Sequence, residues 1–249
     1  MEQRPKISVI TVVFNGEAVI EKTIKSVSEQ SFKNIEHWII DGASRDSTID
    51  LIKKYHHLKW ISEKDKGLYD AMNKGLQLSK GEYVIFMNAG DVFNDKDVLK
   101  NIFESNLPEA DVYYGETIVT DESDKTIGMR RLKTPDKLTW KSFAMGMLVC
   151  HQSIIIRKEI TDQYNINYRL AADIDWIIKA LKKANIVVNT KIIISRFQTG
   201  GLSRKNILPG LKERFKIMSE HYGLIPTILR HFLIGFKFLI HLLLYRRVE

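Results

Sequence analysis

Short runs of β-branched and apolar residues alternate with longer stretches of helical spacing through the first hundred residues, the pattern of a parallel sheet with crossover helices. Ile7 to Val13 reads as a buried first strand, and Glu17 to Gln30 as a helix with Ala18, Ile20, Ile24 and Val27 on one face. Ile35 to Ile40 is a second strand, and Ser47 and Thr48 open a helix that ends near His56. Lys59-Trp60-Ile61 gives a short third strand, Leu68 to Leu78 a helix closed by Lys80-Gly81, and Tyr83 to Met87 the fourth strand. Sheets of this kind place ligands in loops at the carboxyl ends of their strands. The second half is less regular. Val112 to Thr120 and Thr126 to Arg131 read as strands around an Asp121-Glu122-Ser123-Asp124 turn, and Met147 to Arg157 as another. Asp173 to Lys183 is a helix with Trp176, Ile177, Ala180 and Leu181 on one face, followed by a strand from Ile186 to Phe197. Without a Pro/Gly/Ser linker, one domain with an antiparallel addition is expected.

The C-terminal stretch has a different pattern. Ile225 to Tyr245 is strongly apolar, but Arg230, Lys237 and His241 interrupt it, so it lacks the ~20 uninterrupted apolar residues of a spanning helix. At about 100° per residue, Thr227, Arg230, Lys237, His241 and Tyr245 share an arc of about 80°, leaving a wide apolar face. With Arg246 and Arg247 at its end, this reads as a helix lying in an anionic membrane surface, or else packing on the body or a second subunit.

Charge supports the first reading. The 249 residues carry 38 Lys and Arg against 30 Asp and Glu, but residues 201 to 249 hold 9 of the bases and 3 of the acids, leaving the body nearly neutral. A nucleic-acid binder would carry its basic residues on the folded body, interleaved with aromatics, so no nucleic-acid partner is expected. A chain this long buries roughly 70% of its unfolded surface without metal or disulfide. The lone Cys150 can form no internal disulfide, and the start from Met1 to Lys6 lacks a signal peptide's apolar stretch, which makes the cytoplasm the default.

Acidic residues gather where strands end: Asp41 closes the second, Asp65 follows the third, and Asp91 follows the fourth after Asn88-Ala89-Gly90. Converging carboxylates there could accept from a base N–H or a ribose hydroxyl, or bind a hard divalent cation carrying phosphates; the alternative is the ordinary preference of Asp and Gly for turns. A nucleotidyltransferase would use a similar cleft, but Val12-Val13-Phe14-Asn15-Gly16 is not the Gly-rich basic phosphate loop it needs.

The segments Ile7 to Asn15, Asp41-Gly42-Ala43-Ser44-Arg45-Asp46-Ser47-Thr48 and Asp65 to Gly75, then Phe86-Met87-Asn88-Ala89-Gly90-Asp91, His151-Gln152, Ala171 to Trp176 and Gly200-Gly201-Leu202-Ser203, resemble in order the inverting family 2 glycosyltransferases. The resemblance spans roughly residues 5 to 205. It implies an α/β GT-A fold, with a mainly parallel central sheet flanked by helices, to which the pattern read above adds a C-terminal amphipathic helical tail. The chain then divides into a catalytic domain over 1–205, with a nucleotide-sugar half to about 105 and an acceptor half from about 106, and a basic, apolar membrane-associating tail over 206–249. It nominates Thr11, Val13, Asn15, Asp41 and Ser44 for the nucleoside, and Asp65, Lys66, Asp70 and Asn73 for the rest of the nucleotide-sugar. Lys66 and Lys74 would offset diphosphate charge, although Met72 stands where many relatives have Arg.

Asn88 and Ala89 would line the donor site, with Asp91 as ligand to Mn²⁺ or Mg²⁺, since Asn88-Ala89-Gly90-Asp91 stands in place of the family's Asp-x-Asp. Such ions commonly bind through one or two carboxylates and substrate phosphates. An inverting transfer needs a base for the acceptor hydroxyl, a role that falls on Asp173, with Asp175 as second candidate and a helix cap as the alternative for Asp173. His151, Gln152 and Trp176 would lie near the sugar or acceptor, or simply pack in the core, and Gly200 to Lys205 would form a closing loop. The implied partners are a nucleoside diphosphate sugar, UDP-sugar favoured, and a polyprenyl-diphosphate-linked glycan acceptor in capsule, O-antigen or exopolysaccharide synthesis. The implied location is peripheral, at the inner face of the cytoplasmic membrane. A non-enzymatic membrane-surface relative is the remaining alternative.

Overall fold

Every residue of Ile7–Val13 is buried, which places β1 inside the sheet rather than at its edge. The structure, a computed structural model, describes residues 4–121, 123–130, 132–198 and 207–232. β1 has parallel neighbours on both sides, β2 (Ile35–Asp41) and β4 (Tyr83–Phe86), and β3 (Lys59–Ser62) continues the parallel run beyond β2. The crossovers run through α1 (Ile20–Ser28), α2 (Thr48–Lys53) and α3 (Leu68–Leu78). Burial on both faces explains why these strands read as continuous apolar runs. Along β1, Ile10 and Val12 join a cluster with Met72 and Leu76 of α3, while Ile7 and Val9 face a second cluster with Val27 of α1. A side chain at Gly75 would collide with Ile10, so this glycine lets α3 lie close against β1.

The later elements are β5 (Val92–Phe93), α4 (Val98–Phe103), β6 (Val112–Thr120), β7 (Thr126–Met129), β8 (Ile154–Arg157), α5 (Ala172–Lys183), β9 (Val187–Gln198) and α6 (Ile207–Tyr222). The nine strands form one sheet in the order β3-β2-β1-β4-β8-β6-β9-β5, with β7 on β6. β8 enters antiparallel between β4 and β6, the expected antiparallel addition.

Two expectations change here. The strand foreseen from Met147 to Arg157 is only β8, because His151–Ser153 forms a tight 3₁₀ turn in which the Ser153 N–H donates to the Cys150 carbonyl. That turn takes His151 and Gln152 out of the ladder and into a cleft. Residues 207–222, grouped above with the tail, instead pack on the body. Ile217 and Met218 of α6 are buried, and Tyr222 stacks on Trp140 with centroids 5.6 Å apart. Glu213 accepts the backbone N–H groups of Arg169, Leu170 and Ala171, which fixes the chain entering α5. After Gly223, whose φ of 88° turns the chain, residues 224–232 are helical.

Candidate active site

The carboxyl end of β1 opens into two adjoining hollows that share Val12, Val13, Phe14, Asn15 and Leu68. One, of about 960 Å³, runs past Gly42, Ala43, Arg45, Lys64 and Asp65. The other, of about 940 Å³, runs past Asn88, Ala89, Asp91, His151, Gln152 and Asp173 to a wall on α6. Strand order produces this division. β1 lies between β2 and β4, so the carboxylates foreseen in one cleft separate: Asp65 borders the first hollow, Asp91 the second, and Asp41 lies buried at the end of β2.

Asp41 builds a turn instead of facing a ligand. Its carboxylate accepts the Ser44 N–H at 3.0 Å and the Ser44 and Ser62 hydroxyls. Asn15 ties this turn to β1, donating its N–H to the Ser44 hydroxyl at 2.7 Å and accepting the Arg45 N–H at 2.9 Å. Asn15 and Ala43 have φ of 50° and 62°, a left-handed conformation uncommon for residues other than glycine, and both line the first hollow. Neighbouring Asp65 accepts Lys74 Nζ at 2.6 Å, and burial raises its carboxyl above the usual range.

The second hollow holds a linked polar chain. Asn88 Nδ2 contacts His151 Nε2 at 3.1 Å, and His151 Nδ1 contacts Asp173 Oδ2 at 3.3 Å. The buried Tyr69 hydroxyl donates to Asp173 Oδ1, also at 3.3 Å. Thus the 3₁₀ turn and α3 converge on one carboxylate in the first turn of α5, with the loop after β4 reaching it through His151. The residue capping α5 is Ala171, so Asp173 is not its N-cap. Beside it Asp91, 7% exposed, accepts Gln152 Nε2 at 2.9 Å, and burial pushes its carboxyl up to about 6.

Asn88 Oδ1 is buried without a hydrogen-bond partner among the described residues. A buried amide oxygen without a partner and a buried carboxylate, on residues that line the same hollow, suit a hard cation that prefers oxygen ligands. Among the described residues, no three His, Cys, Asp or Glu side chains gather to form a protein-only metal site. A cation here would therefore need oxygens from a bound ligand and water as well.

The raised Asp91 carboxyl has a stability consequence with a definite sign. A folded value above the unfolded one favours the protonated group, so its contribution is lost as pH rises through about 6. At about 1.4 kcal/mol per pH unit, keeping this carboxylate ionised near pH 7 costs the fold about 3 kcal/mol. Asp91→Asn should therefore raise the melting temperature in metal-free buffer by about 6–12 °C near pH 7. That gain should shrink as pH falls towards 4, measured by calorimetry; no gain near pH 7 would refute the account.

Several foreseen ligand contacts are corrected. Thr11 is fully buried and bonds His37 Nε2 at 2.9 Å, so its side chain meets no ligand. Asn73 is committed to the Tyr164 backbone, with bonds of 2.9 and 2.7 Å to its carbonyl and N–H. Asp70 receives the Lys66 N–H at the start of α3, and Lys74 pairs with Glu63 and Asp65. Asp175 is buried between Lys179 and His221, at 2.7 Å from each. Burial alone would raise its carboxyl, but the bonds from His221 and Lys179 outweigh that and hold it below the usual range. Trp176 lies in the core, stacked on Tyr164 at 4.8 Å, so it cannot stack on an acceptor.

Val13, Asn15, Asn88, Ala89, Asp91, His151, Gln152 and Asp173 line the second hollow; Ser44 and Lys66 line neither. Gly200, Gly201, Ser203, Arg204 and Lys205 lie outside the described residues. Tyr69, Arg169 and Arg214 also line this hollow without having been anticipated. Tyr69 sits inside the Asp65 to Gly75 motif and was open to notice, whereas only the docking of α6 brings in Arg214.

The sequence profile described as Glycosyl transferase family 2 matches residues 8–164, more than half of the chain. The chain belongs to glycosyltransferase family 2. A Mycobacterium bovis relative named "PGL/p-HBAD biosynthesis glycosyltransferase" is 28% identical over 211 residues, covering 80% of this chain and 79% of that one. Among solved structures, S. aureus TarS (residues 1–349) in complex with UDP-GlcNAc has a TM-score of 0.65 at 19% identity, covering 91% of this chain and 72% of that one. The mannosyltransferase PcManGT from Pyrobaculum calidifontis, in complex with GDP-Man and Mn²⁺, has a TM-score of 0.62 at 14% identity, covering 92% and 74%. The sheet and its flanking helices are therefore those of a GT-A fold, and the glycosyltransferase carries its two hollows where that fold opens at the end of β1.

Proposed function

We propose that this glycosyltransferase inverts configuration at the transferred sugar, taking it from a nucleoside diphosphate donor, UDP-sugar foremost, to a glycan on a polyprenyl diphosphate. The observation that carries this reading is the carboxylate of Asp173, lining the cleft and held by Tyr69 from one side and His151 from the other. Direct displacement requires one base on the acceptor's side and no protein nucleophile. Asp173 takes the proton as the acceptor oxygen attacks C1, and His151 and Tyr69 keep its oxygens pointed at that proton. Val13, Asn15 and Asp65 border the donor's place, with the Asp41–Ser44 turn holding the shape of that rim.

Asp91, with Asn88 Oδ1 beside it in the same cleft, would hold Mn²⁺ or Mg²⁺ together with the donor's phosphates. The ion supplies charge neutralisation on the departing nucleoside diphosphate. The ligands of the two solved structures, UDP-GlcNAc in TarS and GDP-Man with Mn²⁺ in PcManGT, support a nucleotide-sugar donor and a divalent ion. Calorimetric titration with UDP, GDP, dTDP and CDP, each with and without Mn²⁺, tests the reading. Metal-strengthened binding of one nucleotide is expected, and binding of none would overturn it.

We place the enzyme peripherally on the cytoplasmic membrane face. Among the described residues no helix is long and apolar enough to cross a membrane. Over 224–232, Ile225, Leu229 and Phe232 are 72%, 61% and 77% exposed, while Thr227 is buried and the Arg230 guanidinium lies 5.5 Å from the Tyr222 ring. The polar side thus faces the protein and the apolar side faces outward, as an interfacial helix requires. Replacing Ile225, Leu229 and Phe232 together by Ser should lower partition onto anionic vesicles more than tenfold at unchanged melting temperature. Undiminished sedimentation with vesicles would refute this placement.

A further inference from the structure

Two guanidinium groups in the second hollow take no part in the scheme above. Arg169, which precedes α5, and Arg214, on α6, both line it, and neither forms an ion pair among the described residues. Arg214 Nε is buried with no hydrogen-bond partner among the described residues. A buried donor left unpaired costs the fold far more than an exposed one, and the planar fork of Arg is best satisfied by a phosphate or carboxylate.

The surroundings of Arg214 narrow the choice of anion. Ile207, Gly210, Leu211 and Arg214 follow the i, i+3, i+4, i+7 spacing of one helical face, and all four wall the cleft. Ile207 and Leu211 are 62% and 49% exposed, and Leu208 beside them is 73% exposed. A water-soluble nucleotide has no use for an apolar strip beside its phosphates. Its nucleoside is offered the other hollow, lined by Arg45 and Lys64, and its phosphates the ion at Asp91, so the donor has its own partners without these arginines. A phosphate ester with a long apolar chain uses both the cations and the strip.

We propose that Arg169 and Arg214 seat the phosphate group of the lipid-linked acceptor, with the first carbons of its chain lying along Ile207, Leu208 and Leu211. This rests on the transferase reading and deepens it, by giving the acceptor's headgroup its own residues in the hollow that also holds Asp91. The headgroup would then anchor the acceptor from the α6 side, within the same cleft as Asp173.

Calorimetry with the full-length protein tests this, using farnesyl diphosphate, inorganic diphosphate and UDP as separate probes. The wild type should bind farnesyl diphosphate at least about tenfold more tightly than inorganic diphosphate. Arg214→Gln should weaken both by about tenfold while leaving UDP within about twofold, and Arg214→Lys should recover part of the loss. Leu211→Ser, at an exposed position on the face that walls the hollow, should weaken farnesyl diphosphate alone. If Arg214→Gln weakens UDP as much as farnesyl diphosphate, the arginines hold the donor and the proposal fails. It fails equally if farnesyl diphosphate does not bind while UDP does, an outcome that leaves the transferase reading standing. Absence of binding by every nucleotide would instead remove the transferase reading itself.

Discussion

Asp173→Asn should cut sugar transfer about a thousandfold while leaving nucleotide affinity within about twofold. The substitution preserves size and lets the new amide oxygen still accept from Tyr69, so the cleft keeps its shape. It removes the carboxylate proposed to take the acceptor proton, and general-base contributions of this kind are typically worth 10² to 10⁴ in rate. Incorporation of labelled sugar from the donor into lipid-extractable product, beside calorimetric nucleotide binding, separates the two effects. Transfer surviving within a few-fold would move the base elsewhere. Asp175 would not inherit the role, because it is buried and lines neither hollow.

Trp176→Ala should lower unfolding stability by about 3–5 kcal/mol, the largest loss expected of any single substitution described above. The indole is 2% exposed, stacks on Tyr164 at 4.8 Å, meets the Phe86 ring edge at 5.5 Å and donates Nε1–H to the Asp162 carbonyl at 2.7 Å. Deleting it opens a cavity and takes a donor from the half-buried Asp162 carbonyl. Tyr164 also holds Asn73 through its backbone and stacks on Tyr69, whose hydroxyl reaches Asp173, so the damage extends to the base's support. Denaturant unfolding measures the loss. A stability change under about 1 kcal/mol, accompanied by weakened acceptor use, would return Trp176 to the role of a sugar platform.

The contrast between these two residues, three positions apart on α5, shows where sequence reasoning stops. Both belong to the motif from Ala171 to Trp176, and both residue types are common in sugar-binding sites. The motif placed the helix correctly but not its rotation. Only packing against α3 and β4 turns Asp173 to the cleft and Trp176 to the core. The same limit applies to the acidic strand ends. Asp41, Asp65 and Asp91 were legible as residues at carboxyl ends, but a chain order of strands is not a spatial order. The insertion of β1 between β2 and β4 sends Asp65 and Asp91 to different hollows.

Local pattern alone determined the alternation of strands and helices in the first half, the antiparallel addition in the second and the series of family motifs, because hydrophobic period and turn chemistry are short-range properties. Tertiary structure decided what lies between distant segments. His151 meets Asn88 and Asp173 because a 3₁₀ turn, not a continuous strand, precedes β8. Arg214 enters the cleft because Glu213 and His221 dock α6 on the body. Side chains tens of residues apart acquire their partners, and with them their charge environment, only when the chain closes on itself, and no spacing along the sequence encodes that distance.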